Sequence, residues 1–149
     1  MLRLRAADSR DTQDICLLLE RNGLPTSDLA SARAEFVVAH EGAELIGAGA
    51  LERFGTVALL RSVVVAADRR GTGLGRRIVR ELEQRAGASG IEELLLLTQT
   101  AAPFFERRGY RVIERGTAAA AVQASEEFRS LCPASSVCMT KALARVGPR

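Results

Sequence analysis

The chain has 149 residues, 47% hydrophobic and 26% charged, and its 21 basic residues against 18 acidic ones leave a net charge of +3. That size and balance fit one folded domain with a real core and exclude a disordered chain. The charges are spread along the sequence, and one tyrosine and five phenylalanines are too few to interleave with a basic block, so no nucleic-acid partner is expected.

Leu2 to Ala6 alternates apolar and basic residues and reads as a first strand. Asp8 or Ser9 can cap the helix that follows, whose apolar face carries Ile15, Leu18 and Leu19. Asn22-Gly23 supplies a C-terminal stop, with Pro25 beyond it. Thr26 to Ala34 is short and polar, one or two helical turns at most. Glu35 to His40 and Leu45 to Leu51 read as a hairpin across Glu41-Gly42, and Gly47 and Gly49 in its second strand imply thin packing or a bulge. Thr56 to Val65 is a long apolar strand that feeds a glycine-rich turn.

After that turn, Leu74, Ile78, Val79, Leu82 and Ala86 share one helical face, and Gly87 and Gly90 end the helix. The run Leu94 to Leu97 fits a strand buried on both faces. Thr100 can cap a short helix from Ala101 to Arg107, and Tyr110 to Glu114 reads as the next strand. Ser125 to Phe128 looks like a helix start, and Val137 to Leu143 reads as a last strand. The order β-α-β-β-β-α-β-α-β-β predicts a mixed sheet with helices on it. The unit formed by the fourth strand, its helix and the fifth strand should be parallel and right-handed.

No apolar run approaches the roughly 20 residues that span a bilayer, so no membrane partner is expected. Met1 to Arg5 lacks the apolar core of a signal peptide. Three cysteines without paired spacing point to a reducing cytoplasm, and the five-residue interval between Cys132 and Cys138 lies outside usual zinc spacing, so no metal is expected.

The chemistry concentrates between Leu59 and Ile78. A strand, a turn with Gly71, Gly73 and Gly75, and a helix N-terminus form a phosphate cradle, because the first helical N–H groups lack intrahelical acceptors. Arg69, Arg70, Arg76 and Arg77 add positive charge there. An ATP-binding P-loop is excluded, since it needs G-x-x-x-x-G-K-S/T and the one lysine is Lys141. A dinucleotide loop starting at Gly71 would need glycine where Arg76 stands, and the loop follows antiparallel strands.

The run Arg70-Gly71-Thr72-Gly73-Leu74-Gly75 resembles the Q/R-x-x-G-x-G/A signature of the GNAT superfamily of acyl-CoA N-acyltransferases. Leu60 to Val65 resembles the fourth strand of that superfamily, and Pro103 to Tyr110 its F-Y-x-x-x-G-F segment. The resemblance implies an α/β (α+β) fold: a mostly antiparallel mixed sheet of about seven strands with helices on both faces, in one domain over residues 1–149. It implies acetyl-CoA as cosubstrate, held by Val63, Val64, Val65, Arg70, Gly71, Thr72, Gly73, Leu74, Gly75, Arg76 and Phe105, with no metal. The loop N–H groups would hold the pyrophosphate, and the Val63–Val65 edge would pair with pantetheine.

If the fourth strand carries the bulge common in the superfamily, backbone N–H groups near Val64 and Val65 become oxyanion donors. Phe105 stands where the superfamily often has tyrosine, so the expected general acid is missing.

Glu52 is the candidate base, against the alternative of a solvated strand-end carboxylate. Arg61 and Ser62 interrupt an apolar strand. Arg61 could hold a substrate carboxylate or pair with Glu52. Thr98 and Thr100 sit beyond the fifth strand, Thr98 as a substrate contact and Thr100 as a helix cap. His40 is read as solvent-exposed, and Tyr110 as a packing residue.

A narrower resemblance, to the second type of arsenic-operon N-acetyltransferase, is carried by Gly23-Leu24-Pro25, Gly49 to Glu52, Ala58 to Ser62 and Glu127 to Pro133. It implies an amino-acid-like substrate such as an arsenical or a phosphinic glutamate mimic. The expectation is transfer of an acetyl group to a small-molecule amine. The alternatives are a non-catalytic acetyl-CoA-binding module and a protein or peptide N-acetyltransferase. A homodimer through the last strands is expected, because an edge there would otherwise be open.

Overall fold

A computed structural model of the chain describes residues 2–24, 26–27, 34–118, 120–123, 125 and 136–143. Seven strands are present: β1 (Leu2–Ala6), β2 (Ala34–Glu41), β3 (Glu44–Phe54), β4 (Val57–Val65), β5 (Glu93–Thr98), β6 (Arg111–Ile113) and β7 (Val137–Ala142). The helices are α1 (Thr12–Arg21), α2 (Leu74–Ala88), α3 (Ala102–Glu106) and α4 (Ala120–Gln123). Hydrogen-bonded strand order is β1-β2-β3-β4-β5-β7-β6. The pairs β1–β2, β2–β3, β5–β7 and β6–β7 are antiparallel, and β4–β5 is parallel. The mostly antiparallel sheet with helices agrees with the expected fold class.

By internal contacts the chain forms two compact units, residues 1–52 with 60–85, and residues 53–59 with 86–149. In the first, Asp8 starts a capping box with Asp11 ahead of α1. Gly23, at φ +72°, closes α1, with the Gly23 N–H donating to Glu20 and the Leu24 N–H to Leu19. Ile15, Leu18, Leu19, Val38, Ala48 and Val64 form the core of this unit.

The expected thin packing at Gly47 and Gly49 is present. A Cβ on Gly47 would lie 2.8 Å from Ile78 Cδ1, and one on Gly49 would lie 2.8 Å from Leu82 Cδ1. These two glycines let α2 lie directly on β3, which fixes where its N-terminus sits.

In the second unit β4 pairs with β5 through Val57, Ala58 and Leu59. Leu94, Leu95 and Leu96 are buried, as a strand covered on both faces requires. Leu59, Leu95, Ala118, Val122 and Cys138 form the core here.

Three boundaries differ from the sequence reading. β3 runs on to Phe54, so Glu52 lies inside a strand, opposite Ala34, and is not a strand-end residue. Tyr110 precedes β6 and is buried edge-on against Phe105, 5.4 Å between ring centres. β7, the last strand in the chain, lies between β5 and β6, so among the described residues the strand at that end of the sheet is β6. The expected segment at Thr26–Ala34 lies mostly outside the described residues, as do the helix start at Ser125–Phe128 and Cys132. Among the described residues no helix is long and apolar enough to cross a membrane.

Candidate active site

The first unit carries the glycine loop. Gly71 and Gly73 have φ of +79° and +84°, where a Cβ would strain the backbone, and nothing lies within 4 Å of a Cβ built at either. The loop backbone is therefore open on the side where a ligand would approach. Thr72 Oγ1 donates to the Arg69 carbonyl at 2.6 Å and turns the chain into α2. The first α2 backbone bond runs from the Arg77 N–H to the Gly73 carbonyl, which leaves the preceding N–H groups without helical acceptors. No acidic residue stands in the first turn of α2, where one would compete with an anion.

The four arginines around the loop separate into classes. Arg69 lies 2.5 Å from Glu41, 3.0 Å from Asp68 and 3.8 Å from Glu44, and its bond to Glu41 raises its pKa above the usual guanidinium value. Arg70 donates to Asn22 Oδ1, a neutral acceptor at the end of α1. Arg76 and Arg77 are exposed and have no ionic or hydrogen-bonded partner among the described residues. Among the described residues the loop thus has three guanidinium groups without a carboxylate partner beside an anion-seeking helix end, which fits a diphosphate.

β4 changes character after Leu59, the last residue it pairs with β5. Ser62 takes φ +58°, the one non-glycine with positive φ among the described residues, inside a buried strand. Such a conformation costs about 1–2 kcal/mol for an L-residue. The Ser62 hydroxyl is buried and has no hydrogen-bond partner among the described residues. Val64 points its side chain into the core, while Val63 and Val65 are partly exposed.

Next to Ser62, the Arg61 side chain is fully buried, and its Nη1 lies 3.2 Å from Oε1 of Glu52, whose side chain is 13% exposed. Of the two roles open to Arg61 in the sequence, the structure makes the pair with Glu52.

The remaining candidates belong to the second unit. Thr98 Oγ1 accepts the Ala101 N–H at 3.0 Å and closes the turn that leads into α3, whose N-terminus has no side-chain cap from the Thr100 expected there. Thr100 is exposed and makes no such bond. Phe105 is buried, with Phe104 and Tyr110 packed edge-on against it. Lys141 donates to the Arg108 carbonyl at 2.7 Å, and Arg108 lies over the Phe104 ring.

His40 is not solvent-exposed as expected. Its side chain is 17% exposed, and its Nε2 accepts from Arg5, which also forks onto Asp11 at 2.8 and 2.9 Å. The Arg5 bond holds the Asp11 carboxyl at about 2, below its ordinary 3.8. Asn22 and the Ser62 conformation were not legible as site features. Asn22 carried only a helix-stop signal, and serine carries no preference for positive φ.

Residues 32–112 match the model of the acetyltransferase (GNAT) domain. An uncharacterized N-acetyltransferase of Chlorobaculum tepidum is 36% identical over 83 residues, which cover 54% of this chain and 52% of that protein. This chain therefore spans about half the length of that curated relative.

N-acetylglutamate synthase from Neisseria gonorrhoeae, complexed with coenzyme A and N-acetyl-glutamate, shares the fold. Its TM-score is 0.83 at 21% identity, over 97% of this chain and 36% of that one. A Mycobacterium tuberculosis protein in complex with CoA and NLQ has a TM-score of 0.81 at 25% identity, over 95% of this chain and 99% of that one. With more than half its length matched by the family model, the chain belongs to the GNAT acetyltransferase domain family.

Proposed function

We propose that this chain transfers an acetyl group from acetyl-CoA to the amine of a small molecule in the cytoplasm. The observation that carries this reading is the open Gly71–Gly73 loop at the N-terminus of α2, with Arg70, Arg76 and Arg77 uncompensated by any carboxylate among the described residues. Acetyl-CoA supplies the activated thioester. The backbone N–H groups from Gly71 to Arg76 hold its diphosphate, aided by those arginines.

The backbone of Val63 and Val65 pairs with the pantetheine amides as an added strand would. The Val64 N–H donates to the acetyl oxygen, where negative charge develops. The amine nitrogen bonds to the acetyl carbon as the carbon–sulfur bond breaks. Glu52, oriented by Arg61, takes the proton that the amine sheds. The departing thiolate needs no strong acid, because thiols have an ordinary pKa near ~8.5. This accommodates phenylalanine at position 105.

Ser62 and Thr98 are assigned to the acceptor side. The arsenic-operon resemblance favours an acceptor of amino-acid type, either an arsenical or a phosphinothricin-like glutamate mimic. Free-thiol release from acetyl-CoA, measured across amino acids, phosphinothricin, an organoarsenical amino acid and short peptides, tests the reading. Release with an amino-acid-like amine is the expected result. Release with peptides alone would move the acceptor class to proteins. Tight acetyl-CoA binding without turnover on any amine would replace the enzyme by a binding module.

A further inference from the structure

Two adjacent arginines on the glycine loop are treated oppositely by their surroundings. Arg69 is surrounded by the carboxylates of Glu41, Glu44 and Asp68, and its charge is spent within the fold. Arg70 meets an amide. Its Nη2 donates to Oδ1 of Asn22, and Asn22 Nδ2 donates to the Leu18 carbonyl at 2.8 Å. These two bonds fix which way the amide faces, since a flipped amide would set oxygen against the Leu18 carbonyl and NH2 against the guanidinium. Asn22 is itself held at the C-terminal end of α1, where its N–H donates to the Leu19 carbonyl at 3.0 Å. A rigid helix end thus holds one edge of the Arg70 guanidinium through a group that carries no charge.

We infer that Asn22 is a positioning residue for the cosubstrate: it orients Arg70 toward the diphosphate of CoA while leaving the positive charge of Arg70 uncancelled. A carboxylate at position 22 would satisfy the same geometry, as those around Arg69 do, but it would neutralise the guanidinium and repel the diphosphate. The inference rests on the reading that the glycine loop binds CoA. It differs from a helix-capping role, which Asn22 also fills, because capping has no bearing on whether a ligand carries a nucleotide.

The test measures binding of CoA and of pantetheine, which lacks the diphosphate, by calorimetry. The proteins are the wild type, Asn22→Asp, Asn22→Ala, Arg70→Met, Asn22→Asp/Arg70→Met and Gly73→Val, each with its thermal midpoint recorded. Asn22→Asp is expected to weaken CoA by roughly threefold or more, the scale of an exposed ion pair. It should weaken CoA more than Asn22→Ala does and leave pantetheine unchanged. Arg70→Met should show the same selectivity, and adding Asn22→Asp to it should change little.

Equal weakening of CoA and pantetheine would overturn the proposal and leave a structural cap. So would an Asn22→Asp chain that binds CoA like the wild type while Gly73→Val does not. In either case the loop reading stands. Should Asn22→Asp fail to fold, the Asn22→Ala and Arg70→Met pair decides: Arg70→Met without a CoA-selective loss overturns the proposal. A wild-type chain that binds no CoA overturns both readings together.

Discussion

The fully buried Arg61 guanidinium reaches Glu52 on the neighbouring strand with a 3.2 Å contact, one residue before β4 bends at Ser62. A charge so deep in an apolar strand is tolerated only with a partner, and Glu52 supplies it while remaining slightly accessible. Removing one member of such a pair costs far more than removing both, because the survivor stays buried. Arg61→Met is therefore expected to lower stability by about 3–5 kcal/mol. Arg61→Met/Glu52→Gln should recover a large part of that loss, as read by denaturant unfolding. Glu52→Gln alone should lower kcat by a factor of about a hundred or more while CoA affinity stays within twofold of wild type.

Much of the fold was legible because it is written in local patterns. The apolar run ending at Val65, the glycines at 71 and 73 and the helical stripe of Leu74, Ile78 and Leu82 each follow from a few adjacent residues. The two-faced burial of Leu94 to Leu96 followed in the same way. What sequence left open depends on partners distant along the chain. Nothing near Arg61 says whether it faces Glu52 or a ligand. The burial of His40 needs Arg5 and Asp11 from β1 and the turn after it. The rank of β7 in the sheet follows from β6 crossing to its outer side, which no local motif encodes.

The close seat of α2 on β3 can be tested through a single methyl group. A Cβ at position 47 would stand 2.8 Å from Ile78 Cδ1, the atom that valine lacks. Gly47→Ala should destabilise the chain by about 1–3 kcal/mol through overpacking. Ile78→Val in the wild type should cost about 0.5–1.5 kcal/mol by leaving a small void. In the Gly47→Ala background the same change should cost nothing or restore stability. A strictly additive double mutant would mean that the two side chains do not meet.

The Asp11 carboxyl is held at about 2, first by its hydrogen bond to Arg5, against an ordinary value of 3.8. A depressed folded-state value means that the contribution to stability is complete above 3.8 and is lost as pH falls toward 2. Acid titration of the thermal midpoint should show this loss in the wild type between about pH 4 and pH 2. Asp11→Asn and Arg5→Met should flatten it. The same cluster fixes the His40 tautomer. Nε2 accepts from Arg5, so the neutral ring carries its proton on Nδ1, which nitrogen chemical shifts will report.

Thr98 and Thr100 separate what spacing suggested from what the chain does. Two threonines flank Gln99 just before α3, and either could have supplied the oxygen that receives an orphan N–H. Thr98 does so, accepting from Ala101 at 3.0 Å, and Thr100 stays exposed. Thr98→Val preserves shape and removes the acceptor, so it should cost about 1 kcal/mol, the usual net worth of one hydrogen bond. Thr100→Val should fall within about 0.5 kcal/mol of wild type. Because Thr98 is also assigned to the acceptor side, Thr98→Ser serves as the control. It keeps the oxygen and should retain stability, so an acceptor KM that rises in Thr98→Val but not in Thr98→Ser ties the hydroxyl, and not the loss of the methyl, to substrate binding. A KM that stays level in both would confine Thr98 to closing the turn before α3.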